Sequence, residues 1–538
     1  MRQILLRYLT EEVITFIKIG ILALAIVFLF IQFFSRKGSP VKKPSLSKGN
    51  FKSTILITLA VISLAAFLNF GLLHRTNFIH WWEIFHYYIG TKYFKEVGYF
   101  NLYNATVVAD SEENTYLEKS DYIMDLSNYY LIPRDKILAK SIQYKTKFSP
   151  QRWQSFKNDI AFLKRNLWPG RFQRMMNDHG YHATPIWNTT AGFLVNRVPL
   201  NRVLFLCLID PILLIIMFIA LYLSFGMIPA LLMLIYFCLD FLSGFYWMGG
   251  CFLRQDWLVV TMLGLCMLKQ NRYGLAGSLF SYATMSRIFP VLFIGGITVK
   301  AITDLIIHRK IPHKYFNFLL AFLLTTVILF GYGCLGGKGI EKWRGFIQKI
   351  KIHNDNLLTN NLGLRHIFLH DGRETDFPTF VANYGGHYHD GDLQDYFIYW
   401  TKAKQQEFKD RWLSFLVYSV LALLMFGYIA NKEDDVGATA WGAFLIFMLL
   451  SISCYFYSFL IVLVLLFSRD CDKNLDSTIS LSLLFLLQIF SHLLFWNKFF
   501  LDRYLKISLM LAVYFFYLIL YYLFREILQN KSGRITYK

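Results

Sequence analysis

Apolar runs of spanning length alternate with short polar breaks along most of the chain, and two long polar stretches interrupt the alternation. The runs fall at 13–34, 53–73, 203–223, 227–247, 257–268, 273–306, 315–334, 412–430, 438–451, 454–467, 477–496 and 504–524. The 273–306 run is a hairpin broken at Ser286-Arg287-Ile288-Phe289-Pro290, where proline and a charge end a helix. Since about 20 apolar residues cross a bilayer as a helix, the pattern predicts an all-α polytopic membrane protein with about thirteen transmembrane helices. A β-barrel would show short alternating segments instead. The first run is too long for a signal-peptide core and lacks a small-residue cleavage site, so it reads as a retained anchor.

Charge orients these runs. The net charge is +20, yet much of it lies in short loops between apolar runs, which argues for membrane topology and against a nucleic-acid partner. The acid-free basic linker at 35–52 and the basic tail with Arg525, Lys531, Arg534 and Lys538 belong on the cytoplasmic side. Alternation then places the long polar stretches, 74–202 and 335–410, outside. Four regions follow. They are an anchor and linker (1–52), a transmembrane module with its large outer loop (53–334), a second outer loop (335–410), and C-terminal helices with a basic tail (411–538). The first outer loop should be structured, with amphipathic helices such as 153–166 lying on the membrane surface. The expected location is the inner (plasma) membrane.

Candidate chemistry concentrates where the chain first leaves the membrane. His80-Trp81-Trp82-Glu83-Ile84-Phe85-His86-Tyr87-Tyr88 sets one carboxylate and an imidazole three residues on among bulky aromatics. An aromatic belt explains the rings alone; a carboxylate near hydrocarbon points to function. Arg254 and Arg287 fall at outer ends of runs, where a planar guanidinium can hold a phosphate with two hydrogen bonds or simply snorkel. Asp210 and Asp240, near or within apolar runs, should pair with other polar groups. The seven cysteines show no CxxC or zinc spacing. His179 with His182, and His387, His389, Asp390 and Asp392, lack a defined ligand set and read as solvated loop, so no metal and no cofactor is expected. Asn104-Ala105-Thr106 and Asn188-Thr189-Thr190 fit the glycosylation acceptor pattern.

The order of these blocks resembles the bacterial GT-C glycosyltransferases, closest to the polyprenyl-phosphate-mannose-dependent mannosyltransferases. Glu83 opens the first outer loop four residues before Tyr87. Tyr93-Phe94, Gly98-Tyr99 and Leu102-Tyr103 follow, and Arg254-Gln255-Asp256-Trp257, Ala276-Gly277, Arg287-Ile288-Phe289-Pro290 and Asn361-Leu362-Gly363-Leu364 resemble further blocks. The resemblance covers about 57–306, and the remainder mainly by topology. Glu83 stands where the family more commonly has Asp, and the first run is an extra helix.

The resemblance implies transfer of a sugar from a polyprenyl-phosphate donor to a lipid, glycan or protein acceptor on the outer face. Glu83 would be the general base, assisted by His86. Arg254 and Arg287 would bind the donor phosphate, and Tyr87, Gln255, Asp256, Asn361 and His366 would contact substrate. Glu96 is the competing base in the same loop. A transporter or flippase of a lipid-linked or anionic substrate is the alternative, weakened by the lack of an internal repeat. A non-catalytic scaffold of the same fold is a third.

Overall fold

The computed structural model describes residues 8–37, 46–74, 77–113, 121–168, 170–370, 375–384 and 396–535. They form an all-α, multi-pass membrane architecture. Among them, seven helices are long and apolar enough to cross a membrane: Glu11–Ser35, Leu204–Phe225, Phe289–His308, His313–Gly333, Ile398–Lys432, Leu475–Trp496 and Phe500–Arg525. Four shorter apolar helices lie between them, at Phe51–Phe67, Met227–Leu239, Asp435–Leu449 and Cys454–Ser468. Many large apolar side chains of the long helices face outward, such as Ile215, Ile219 and Leu223 on one and Leu323, Val327 and Ile328 on another. A soluble helix buries such a stripe, whereas a helix against lipid exposes it.

The all-α reading leaves out four short strands that occur among the described residues. Tyr122–Asp125 pairs antiparallel with Tyr130–Pro133 as a hairpin within the 74–202 stretch. Asn361–Leu362 pairs with Ile452–Ser453, stitching the 335–410 stretch to the start of the Cys454–Leu460 turn.

Two large hydrophobic cores and a small one result among the described residues. One large core lies among the apolar helices, the other is built from residues 84–207 with Phe252, Leu253 and Phe346, and the small one gathers Leu357, Leu369, Phe380, Trp400 and Leu501. The Pro150–Asn166 helix starts on a Ser149 cap with Pro at its first turn. Its stripe of Trp153, Phe156, Ile160 and Leu163 is buried in the outer core, packed against the Leu102–Glu112 helix. The expected surface helix is therefore a core element, whose apolar face meets protein. A buried Lys164–Asp110 ion pair fastens it there. The sequons are helical and buried too, with Asn104 7% and Asn188 4% exposed.

The intramembrane acids are paired. Asp240 accepts from Gln488 Nε2 (2.8 Å) and from the Leu242 amide (3.2 Å). Asp435 gathers Lys300, Lys314, Tyr273 and Tyr315, tying the ends of several helices together.

Candidate active site

The site lies where the two large cores meet, and local backbone features position each group. The His80 amide donates to Gly250 O (3.0 Å), which seats the first outer loop on the 249–255 loop. Gly250 has φ +69°, and a Cβ there would lie 1.7 Å from Phe78 O. His80 Nδ1 accepts from the Glu83 amide (3.2 Å), capping the turn that begins at Trp81. From Ile84 to Ile89 the helix widens into a π-turn, with the Gly90 amide reaching Phe85 O. Such turns carry one residue more than α-helix and occur mostly at functional sites. All six residues of the π-turn are buried.

Arg254 arrives from the 249–255 loop. Leu253 before it has φ +50°. Asp210, from the neighbouring helix, accepts from the Arg254 and Gln255 amides (2.8 and 3.4 Å), fixing the backbone just before the Asp256–Lys269 helix. The Arg254 guanidinium stands 3.4 Å from Glu83 and stacks over Tyr455 (4.6 Å) and Tyr87 (5.3 Å).

Arg287 ends the Tyr273–Arg287 helix at the expected break. Ile288 follows with φ +53°, a conformation that strains a β-branched residue and that clusters at functional sites. The Arg287 guanidinium donates to Ser286 O (3.0 Å) and Leu253 O (3.2 Å), lies 3.9 Å from Asp256, and stacks on Trp187.

Two cavities open onto these groups. The first, of about 670 Å³, is lined by Glu83, His86, Asp178 and Tyr129 among others. The second, of about 300 Å³, is lined by Arg287, Arg365 and Asn361 together with apolar Ile288, Phe289 and Leu450. Tyr87, His182, Arg254, His353 and Tyr455 line both. Glu83 Oε2, Asn361 Oδ1 and the Nε atoms of Arg254, Arg287 and Arg365 are buried without a hydrogen bond among the described residues. Each such group costs about 1–3 kcal/mol if left unsatisfied, more when charged, which favours a polar occupant.

His86 shares a hydrogen bond of 2.7 Å with Tyr103 Oη and lies 4.0 Å from Asp178. Burial lowers its pKa below the usual imidazole value. Burial alone would raise the Asp178 carboxyl, but hydrogen bonds from His179 hold it well below the usual carboxylate range. Burial also holds His182 down to about 3.

Comparison with family models, with curated proteins and with solved structures gave no match.

The structure thus brings Glu83, His86, Tyr87 and Arg254 to the first cavity, and Arg287 and Asn361 to the second. It does not bring Gln255, Asp256 or His366 to either. Asp256 instead accepts from Ser286 (2.8 Å) and Tyr282 (3.1 Å) and backs Arg287. His366 is 5% exposed, and its Nε2 has no partner among the described residues. Glu96 pairs with Arg152 (2.7 Å) and lines neither cavity. Sequence reasoning misses Asp178, His353, Arg365 and Tyr455; Asp178 stands in Asn177-Asp178-His179, directly beside a histidine whose pattern reads as solvated loop. His182 is not a solvated loop residue: it is mostly buried, and its ring stacks on His353 at 4.7 Å. No group of three or more His, Cys, Asp and Glu is arranged to hold a metal ion among the described residues. His387, His389, Asp390 and Asp392 lie outside them.

Proposed function

We propose that this protein is a GT-C-type glycosyltransferase of the plasma membrane. It would cross the membrane about thirteen times, with the four shorter apolar helices and the Asp256–Lys269 and Tyr273–Arg287 helices completing the seven long ones, and open its site to the outside. It would move a sugar from a polyprenyl-phosphate donor to a lipid, glycan or protein acceptor. The observation that carries this reading is the shared wall. Arg254 and Tyr87 line both a polar cavity containing a carboxylate and a smaller one combining arginines with apolar side chains.

A transferase needs such a junction. The acceptor hydroxyl enters the first cavity, and Glu83 takes its proton as the oxygen attacks the anomeric carbon. The bond between that carbon and the phosphate oxygen breaks, and the phosphate leaves with the electron pair. Arg254 and Arg287 stabilise the charge that develops, with Arg365 on the same cavity. The prenyl chain lies along Ile288, Phe289 and Leu450.

A transporter would want charges near the bilayer midplane in paired broken helices. Here Glu83, Arg254 and Arg287 stand at helix ends. Sugar transfer from a polyprenyl-phosphate donor by the purified protein in nanodiscs tests the proposal. Transfer that is present in wild type and lost in Glu83→Gln is the expected result; no transfer to any class of acceptor would refute it.

A further inference from the structure

The first cavity carries charge that the transfer chemistry does not use. Arg171 and Arg174 both line it, one turn apart on the short Arg171–Met175 helix. Phe172 and Met175 of that helix are buried in the outer core, so the arginines three apart take the other face. Neither guanidinium has a hydrogen-bond or ion-pair partner among the described residues.

The acids of this cavity are already engaged. Glu83 faces Arg254. Asp178 accepts from the Trp82 indole (2.7 Å) and the His179 amide (2.8 Å). The three guanidiniums of Arg171, Arg174 and Arg254 therefore outnumber the carboxylates of Glu83 and Asp178. Burial keeps His80 and His182 neutral at ordinary pH, so they neither add to this excess nor offset it.

We propose that the molecule entering this cavity is anionic, with a phosphate or carboxylate group held between Arg171 and Arg174 while its hydroxyl faces Glu83. This rests on the transferase reading, in which that molecule is the acceptor. Guanidinium forks suit an oxyanion because each can donate two parallel hydrogen bonds to it. Arg171 is half-buried and Arg174 exposed, so both guanidiniums are within reach of an incoming anion.

Binding tests this independently of transfer. The full chain, in nanodiscs of zwitterionic phosphatidylcholine, is titrated with dihexanoyl phosphatidic acid, with dihexanoylglycerol and with inorganic phosphate. The phosphatidic acid should bind saturably and the neutral lipid should not compete. Arg171→Gln/Arg174→Gln should weaken binding by about ten-fold or more, the loss expected for charged hydrogen bonds. The double Lys variant should recover part of it, and Arg197→Gln, away from the cavity, should bind as wild type. Inorganic phosphate binding with the same arginine dependence supports a free oxyanion site; binding of the lipid phosphate alone supports an anionic lipid.

Unchanged affinity in the double Gln variant overturns the proposal. So does equal affinity for the neutral lipid, or a loss that follows Arg287→Gln instead, which would place the anion in the second cavity. Should phosphatidic acid bind as expected while no donor supports sugar transfer, the anion site stands and the transferase reading falls.

Discussion

Glu83 Oε2 and Arg254 Nη1 lie 3.4 Å apart, within ion-pair reach, yet the carboxylate oxygen and Arg254 Nε are both buried without a hydrogen bond among the described residues. Glu83 adjoins Ile84 and Arg254 adjoins Leu253, both buried in the 84–207 core. The partial satisfaction of the pair leaves both groups able to take a further polar partner.

Glu83→Gln keeps the shape but removes the proposed base. Turnover should fall by about 10²- to 10⁴-fold while the protein inserts normally. Glu83→Asp withdraws the carboxylate by about 1 Å, which can cost on the order of 10²-fold, so partial activity is expected. Glu96→Gln should transfer at close to the wild-type rate, because that carboxylate is tied to Arg152. His86→Asn should slow transfer without abolishing it. Assays of purified variants check the series; wild-type turnover by Glu83→Gln would remove the mechanism.

Arg287→Ala and Arg365→Ala should raise the donor KM by roughly ten- to a hundred-fold, as expected from about 1.5–3 kcal/mol per charged hydrogen bond. Lysine should restore only part, since a point charge replaces a fork. Donor affinity unchanged in both alanine variants would show that the second cavity holds no phosphate.

Gly250→Ala places a methyl group 1.7 Å from Phe78 O and demands positive φ of a residue with a Cβ. It should unseat the 78–80 segment, lower the melting temperature and abolish transfer. Gly274→Ala, inside a helix with nothing within 4 Å of the added carbon, is the control and should melt no lower than wild type. Equal melting temperatures for the two variants would show that the contact at Gly250 is not limiting.

Acid should destabilise the outer region in a defined window. Burial holds His80 down to about 4 and His182 to about 3. The unfolded chain takes up protons near pH 6.5, while these folded imidazoles do not until the pH reaches their lowered values. Between those limits the unfolded state binds more protons, so stability falls as pH drops. Melting temperatures measured from pH 7 to 4 should decline, and His182→Gln should flatten the slope. A flat wild-type profile would contradict the neutral burial of these rings.

Labelling with an impermeant thiol reagent tests orientation. Cys334, partly exposed while the other six cysteines are buried, is first replaced by Ser. Ser141→Cys should label in intact cells and Lys43→Cys should not. The reverse pattern would turn the site toward the cytoplasm.

The helical membrane class was legible because apolar runs of spanning length admit few other folds. Glu83, Arg254 and Arg287 were legible because charges at the ends of apolar runs stand out against their neighbours. Asp178, His353 and Arg365 were not, since each reaches a cavity wall only through the folding of the long polar stretches. The Pro150–Asn166 helix was misread because an amphipathic stripe looks the same whether it meets lipid or protein; the Leu102–Glu112 helix decided which. The Asn361–Leu362 ladder was hidden too, as its partner lies far along the chain.

The π-turn at Ile84–Ile89 makes this protein intolerant of a change that surface loops accept. Removing any one of its residues lets the turn contract to the narrower α-helical register. Each residue of an α-helix advances the side-chain direction by about 100°. A one-residue deletion would therefore swing Trp81, Trp82 and Glu83 around the helix axis relative to Tyr93 and everything after it. Chain length within this single turn, as much as residue identity, sets the direction in which the carboxylate points.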